Sequence, residues 1–387
     1  MPDTAPVDVF DRLGRGREID RLRARLEAWM ASAEPDIRPM LDQQFHGLSK
    51  YFRPLTVFGC HFALTREPVP DRLIVTAQAV EMIHNVTLII DDIVDRSDSR
   101  RGKPTLHPVY DSLTAYMVAG YIVADTYDVL ARELADEFFD LAGRDAETDA
   151  RRGDAIDDYD RAHSRAGAPD RDGRSALDLG GLVPGKVRAS LNDTGPVRFD
   201  MRLISELLKR LAVAECVQWD NRKGGSRRRD RSRPPYPLGV ADWRFLARED
   251  TGCMFEICAT LGSRTQRFRR FGRLLGMLYH GCDDVADVKN SVRLGGGGVE
   301  DLRDGILTLP AALALEARPE IRPIFAHDPL SEDDARLLSA AFEEQLDHAE
   351  LELDAIQREA VEEASALGVP YPEELLRLVE QVRPLSR

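Results

Sequence analysis

An all-α fold is predicted by three observations. Apolar residues recur at helical spacing through most of the chain, and strand-like alternation bounded by turn residues is nearly absent. The composition, 43% hydrophobic and 31% charged, is that of an ordinary globular protein able to bury a sizeable core at 387 residues.

In chain order, residues 18–33 form the first amphipathic pattern. Residues 73–90 form a second, with Leu73, Ala77, Val80, Ile83, Val86, Leu88 and Ile89 on a wide apolar face. The same periodicity predicts helices over 113–134, 201–219, 243–261, 271–288 and 307–315, and one long or two shorter helices over 332–367. Two stretches interrupt it. The segment near 143–200 is rich in Asp, Arg, Gly and Ala, and the segment near 221–236 is a basic loop with two prolines. Helical pattern resumes after each without a turn-rich boundary, so residues 1–387 read as a single domain with two mobile insertions.

Net charge is −14, which disfavours a nucleic-acid partner, and Arg227, Arg228 and Arg229 read as a solvated loop. Five cysteines, none in a C-x-x-C pair, suit small buried hydrophobes in a reducing cytosol. The amino terminus lacks the basic start and apolar stretch of a signal peptide, and no run of about 18 apolar residues predicts a membrane span. A cytoplasmic location is the expectation.

Chemistry concentrates in two acidic triplets. Asp91, Asp92 and Asp95 follow the apolar run Val86-Thr-Leu-Ile-Ile90. At 100° per residue Asp91 and Asp95 stack on one helix face and Asp92 flanks them. Carboxylates that close repel unless a cation lies between them. Asp283, Asp284 and Asp287 repeat the spacing after a second apolar helix. Two such triplets on facing helices make an all-oxygen pocket suited to Mg²⁺, and metal ions there would neutralise a departing diphosphate. Arg100 and Arg101 follow the first triplet, and guanidinium forks suit phosphate oxygens. Lys50 and Arg53, at i and i+3, are candidates for a second anion site.

These segments resemble the trans-type prenyl diphosphate synthases (polyprenyl synthetases). The resemblance runs from about residue 50 to residue 315, broken by the two insertions. IHNVTLIIDDIVDRSDSRRGKPTLH looks like that family's first aspartate-rich region, CDDVADV like its second, and DLRDGILTLPAALAL like the segment after it. AECVQWD and DTGCMFEICATLG align with two intervening helices. The resemblance implies a helical bundle of the isoprenoid synthase type around a central cavity, working as a homodimer. It implies condensation of an allylic diphosphate with isopentenyl diphosphate. Asp91, Asp92, Asp95, Asp283, Asp284 and Asp287 would bind Mg²⁺, the first five being catalytic. Arg100 would hold the allylic diphosphate; Lys50, Arg53, His84 and Arg101 would hold isopentenyl diphosphate. Thr251 and His280 join the substrate-binding set.

Departures from the family pattern are specific. Asp250 stands where the family has a lysine before Thr251, Tyr279-His280 replaces Phe-Gln, Ile306 replaces a lysine after Gly305, and a further lysine is missing within 295–298. Tyr121 occupies a place usual for Asp. The isopentenyl side is therefore largely intact while the allylic side loses lysines, which leaves a terpene cyclase or a weakly active partner subunit as the alternatives. Thr87 and Val86, four and five residues before Asp91, are not aromatic, which favours products of twenty carbons or more.

Overall fold

The computed structural model describes residues 9–45, 49–100, 102–141, 196–221, 239–289, 301–302, 305–327 and 330–386. Arg101, residues 295–298 and the cores of both expected insertions lie outside these.

Helices run α1 (Val9–Arg12), α2 (Gly16–Ser32), α3 (Arg38–Phe45), α4 (Phe52–Leu64), α5 (Asp71–Asp95), α6 (Leu106–Tyr110), α7 (Ser112–Leu141), α8 (Pro196–Asn221), α9 (Val240–Ala247), α10 (Cys253–Ser263), α11 (Arg269–Val288), α12 (Leu309–Ala317), α13 (Arg322–Phe325), α14 (Glu332–Glu343), α15 (Leu346–Ala366) and α16 (Glu373–Val382). The all-α expectation holds. Among the described residues the strands are β1 (Ser99–Arg100) and β2 (Lys103–Pro104), an antiparallel hairpin just past the first acidic triplet.

Burial follows the spacing. In α2, Ile19, Leu22, Leu26, Trp29 and Met30 turn inward at intervals of three and four. Helix α4 is buried on nearly every side, from Phe52 to Ala63. Its tight seating uses Gly262 of α10, where a Cβ would lie 2.1 Å from the Val57 carbonyl oxygen. Buried side chains from Val9 to Val382 form one connected apolar cluster.

Helix α5 is the central rod, starting after Pro70 and ending at Arg96, whose φ of 54° is left-handed and stops the helix. Contrary to the sequence expectation, it is long and apolar enough to cross a membrane by length and composition. Its most apolar window is 83% buried against other helices, as befits a core element.

The helix expected over 243–261 is broken. A π-helical turn, Arg248–Gly252, separates α9 from α10, and Asp250 inside it has non-helical φ/ψ of −91° and −106°. An ionic network backs this turn. Glu256, fully buried on α10, meets Arg273 at 2.8 Å, Arg269 at 2.9 Å and Arg210 at 3.1 Å. Arg210 also reaches Glu249 in the π turn at 3.0 Å. Four segments are thereby tied at one point. Of the five cysteines, Cys216 is exposed on α8 rather than buried, and the other four are in the core.

Candidate active site

The first triplet occupies the last turn of α5. Asp91 and Asp95 share one face, as the i, i+4 spacing requires. Asp92 points elsewhere. It is 2% exposed, and its Oδ1 accepts a hydrogen bond from Arg100 Nε at 2.8 Å. Arg100 is delivered by the hairpin, which folds back beside the helix end. Burial holds the Asp91 carboxyl well above the ordinary range, and Glu215, Asp250 and Asp95 reinforce this while Arg100 partly offsets it. Burial likewise raises Asp92, against the pull of Arg100.

The second triplet lies in the last two turns of α11. Asp283 is pushed up to about 7 by burial, Asp287 and Asp284, with His280 and Lys50 opposing. Asp284 is bound internally: its Oδ2 accepts from Trp243 Nε1 at 2.6 Å and from the Leu309 backbone N–H at 2.8 Å. The two triplets therefore share a pattern. Their middle carboxylates, Asp92 and Asp284, are occupied by donors of the protein.

Asp301 links the two sides. Burial raises its carboxyl well above the ordinary range, and it feels Asp287, Asp284, Asp95 and Asp283 together. No sequence motif singled it out, because it is one acid in a segment read for its resemblance as a whole. Glu215 went unmarked for the same reason, and Trp243 read only as the start of the helix over 243–261.

Asp250 projects from the π turn into this acidic field, acting on Asp91 and Asp284. His280 stands beside it, with Nδ1 at 3.6 Å from Asp250 Oδ2 and 3.1 Å from Thr251 Oγ1, and Nε2 at 3.9 Å from Asp284 Oδ1. Burial works against charging His280, but Asp284, Asp250 and Asp283 outweigh it and raise its pKa. The acids around His280 thus favour its protonated form beside Asp250.

Lys50 and Arg53 lie on either side of a turn. Tyr51 has a left-handed φ of 52°, and α4 begins only at Phe52, so the chain turns between them. Lys50 lies within electrostatic reach of Asp283. Arg53 packs on α10, its Nε 2.6 Å from Met254 Sδ and its guanidinium 5.7 Å from the Phe255 ring centre. His84 instead lines a cavity of about 610 Å³ with Arg23, Tyr51, Asp92, Arg100 and Lys103. The structure brings His84 and Arg100 to one cavity, Lys50 to the second triplet, and Arg53 to neither.

Among the described residues no group of three or more His, Cys, Asp or Glu is arranged to cage an ion. The donor set fits Mg²⁺ nonetheless. The facing acids Asp91, Asp95, Asp283, Asp287 and Asp301 are all hard oxygen donors, and Mg²⁺ takes one or two carboxylates and completes its shell with water and phosphate oxygens.

The raised carboxyls make a stability prediction. Folded and metal-free, Asp283 keeps a proton up to about 7, whereas the unfolded chain releases it in the ordinary carboxylate range. Where the folded state binds the extra proton, stability falls as pH rises through that window. The melting temperature in EDTA should therefore drop between those limits, and Asp283→Asn should flatten the drop. An unchanged slope in that variant would refute the assignment.

Residues 34–166 match the family model described as polyprenyl synthetase. Geranylgeranyl pyrophosphate synthase 12 of Arabidopsis thaliana is 28% identical over 262 residues, covering 63% of this chain and 54% of that protein. A prenyl transferase of Cyanophora paradoxa is 22% identical over 372 residues, covering 95% of this chain and 91% of that one. The crystal structure of geranylgeranyl pyrophosphate synthase from Lactobacillus brevis superposes with a TM-score of 0.68 at 16% identity, covering 97% of this chain and 100% of that one. Residues 34–166, which hold the first triplet, are thus similar to the polyprenyl synthetases, and the curated relatives agree with that likeness.

The chain spans about half the length of its first curated relative. The family model takes in the first triplet, Lys50, Arg53, His84, Arg100 and Arg101, and ends at residue 166. The second triplet lies beyond it, within the helical fold shared with the solved structure.

Proposed function

We propose that the protein is a Mg²⁺-dependent prenyltransferase that condenses an allylic diphosphate with isopentenyl diphosphate and releases pyrophosphate. The observation that carries this is the pair of acidic helix ends, Asp91/Asp95 and Asp283/Asp287, bridged electrostatically by Asp301 with Lys50 at their edge. Those five carboxylates would hold the metal. Bound Mg²⁺ supplies positive charge that stabilises the departing pyrophosphate. Lys50 adds a phosphate contact beside Asp283. His84 and Lys103 line the 610 Å³ cavity beside the first triplet, which suits the diphosphate of the isopentenyl unit, while Arg100, held against Asp92 at its edge, is assigned to the allylic diphosphate. Arg101 belongs to the isopentenyl assignment and lies outside the described residues. The proton lost from the new chain goes to the departing pyrophosphate.

Thr87 and the buried Val86, four and five residues before Asp91, are not aromatic, which supports products of twenty carbons or more. The reading extends to one cytoplasmic domain acting as a homodimer. Val109, Leu113, Tyr116 and Met117 support the dimer, being more than half exposed around the start of α7, where large apolar side chains gain from a partner.

A second reading rests on Asp250. A carboxylate next to Asp91 repels an allylic diphosphate that a lysine would attract, which suits an enzyme that does not elongate, such as a terpene cyclase, or a weakly active partner subunit.

One assay separates these. Geranyl, farnesyl and geranylgeranyl diphosphates are each incubated with Mg²⁺, with and without isopentenyl diphosphate, and the products are weighed by mass spectrometry. The proposal expects a longer diphosphate that requires isopentenyl diphosphate. A hydrocarbon or alcohol formed without it would establish the cyclase reading, and no turnover at all would favour the partner subunit.

A further inference from the structure

Asp284 looks from its motif like one more metal ligand, yet its surroundings are those of an internal strut. Both bonds to its Oδ2 are short and come from rigid donors. The Trp243 indole belongs to a side chain with no exposed surface, and the Leu309 N–H opens α12. The packing is specific to this arrangement. Trp243 lies over Gly281, one turn before Asp284 on α11, where a Cβ would come within 3.0 Å of the indole Cζ2. The same Cβ would press on Leu353 Cδ2 at 2.6 Å, so a larger residue at 281 would crowd both Leu353 and the indole. Three elements, α9, α11 and α12, thus meet at one carboxylate oxygen.

We infer that Trp243 and Asp284 are positioning residues. The indole and the start of α12 fix the rotation of α11 about its axis, and so aim Asp283 and Asp287 at the cleft. Asp284 itself contributes an acceptor rather than a ligand. This rests on the diphosphate reading for its consequence but not for its geometry.

Two measurements test it. The first is melting of the metal-free protein in EDTA. A strut carboxylate stabilises the apo fold, whereas a carboxylate held among like charges destabilises it. Asp284→Ala should therefore lower the melting temperature by about 4 °C or more, and Asp283→Ala should raise it or leave it unchanged. Trp243→Phe should lower it too, and Trp243→Phe combined with Asp284→Ala should cost little beyond Asp284→Ala alone, because one interaction is lost in both. Asp284→Asn should melt near wild type, since its side-chain carbonyl can still accept both bonds.

The second is binding of inorganic pyrophosphate titrated against Mg²⁺ by calorimetry, below the melting range of every variant. Trp243→Phe should raise the Mg²⁺ concentration needed for half-saturation roughly tenfold, the usual scale for losing an orienting partner. Asp284→Asn should stay within about threefold of wild type, and Asp283→Asn should weaken binding on the order of a hundredfold. If Asp284→Asn is as damaging as Asp283→Asn, Asp284 is a ligand and the inference is wrong. If Trp243→Phe lowers the melting temperature without moving the Mg²⁺ dependence, its role is only structural and the positioning claim fails. Wild-type protein that binds no pyrophosphate with Mg²⁺ would instead overturn the diphosphate reading. The melting order would then still decide the strut, and a rise in melting temperature for Asp284→Ala would overturn it.

Discussion

Replacing Asp91 or Asp283 with alanine should cut Mg²⁺-dependent turnover of an allylic diphosphate by a factor on the order of 10²–10³. Each is the first carboxylate of its triplet, and each is perturbed upward by burial and by neighbouring acids. Such perturbation is a mark of a site waiting for positive charge, since acids that crowd without a cation repel one another. The same crowding predicts that neither substitution harms the fold, because each removes a repulsive partner. The measurement is initial rate against Mg²⁺ concentration, with circular dichroism as the check on folding. Full Mg²⁺-dependent turnover in either variant would sink the assignment of both helices.

Glu256→Ala should destabilise the protein by about 3–5 kcal/mol, as expected when one member of a buried ionic cluster is removed. Glu256 is completely buried and meets Arg210, Arg269 and Arg273 at 3.1 Å or less. Burial opposes its ionisation, but Arg273, Arg210 and Arg269 win and hold its carboxyl below the ordinary range. Without it, Arg269 and Arg210 retain Glu206 and Glu249, while Arg273 loses its 2.8 Å contact. Arg210 would keep its link to Glu249 in the π turn that presents Asp250 and Thr251, but would lose the buried anchor that fixes it. Urea unfolding monitored by tryptophan fluorescence measures the loss, and a change below about 1 kcal/mol would show that the cluster is not the keystone of this region.

Much of this protein was legible in its residues, and what was missed has physical causes. Amphipathic helices such as α2 and α11 announce themselves because one face is wet. Helix α4 is harder to see, because most of its residues are buried and few polar positions mark a wet face. The break at Asp250 is equally silent, since no Pro or Gly stands at that residue and the π turn is held from outside by Arg210. Cys216 has an apolar-looking context but faces outward on α8. Lys50 and Arg53 are spaced i, i+3, and Tyr51 turns the chain between them.

The sequence by itself determined the all-α class, the two acidic triplets and the family resemblance, because periodicity and i, i+4 spacing are local and survive any packing. Only the tertiary structure decided which carboxylates of each triplet are available. Asp92 and Asp284 carry the same side chain as their neighbours. Their difference is made by Arg100, Trp243 and the Leu309 N–H, donors that lie 8, 41 and 25 residues away in the chain and become partners only once the helices pack. Asp301 joins the site for the same reason, since nothing in its local sequence says that α5 and α11 will bring their acids to it.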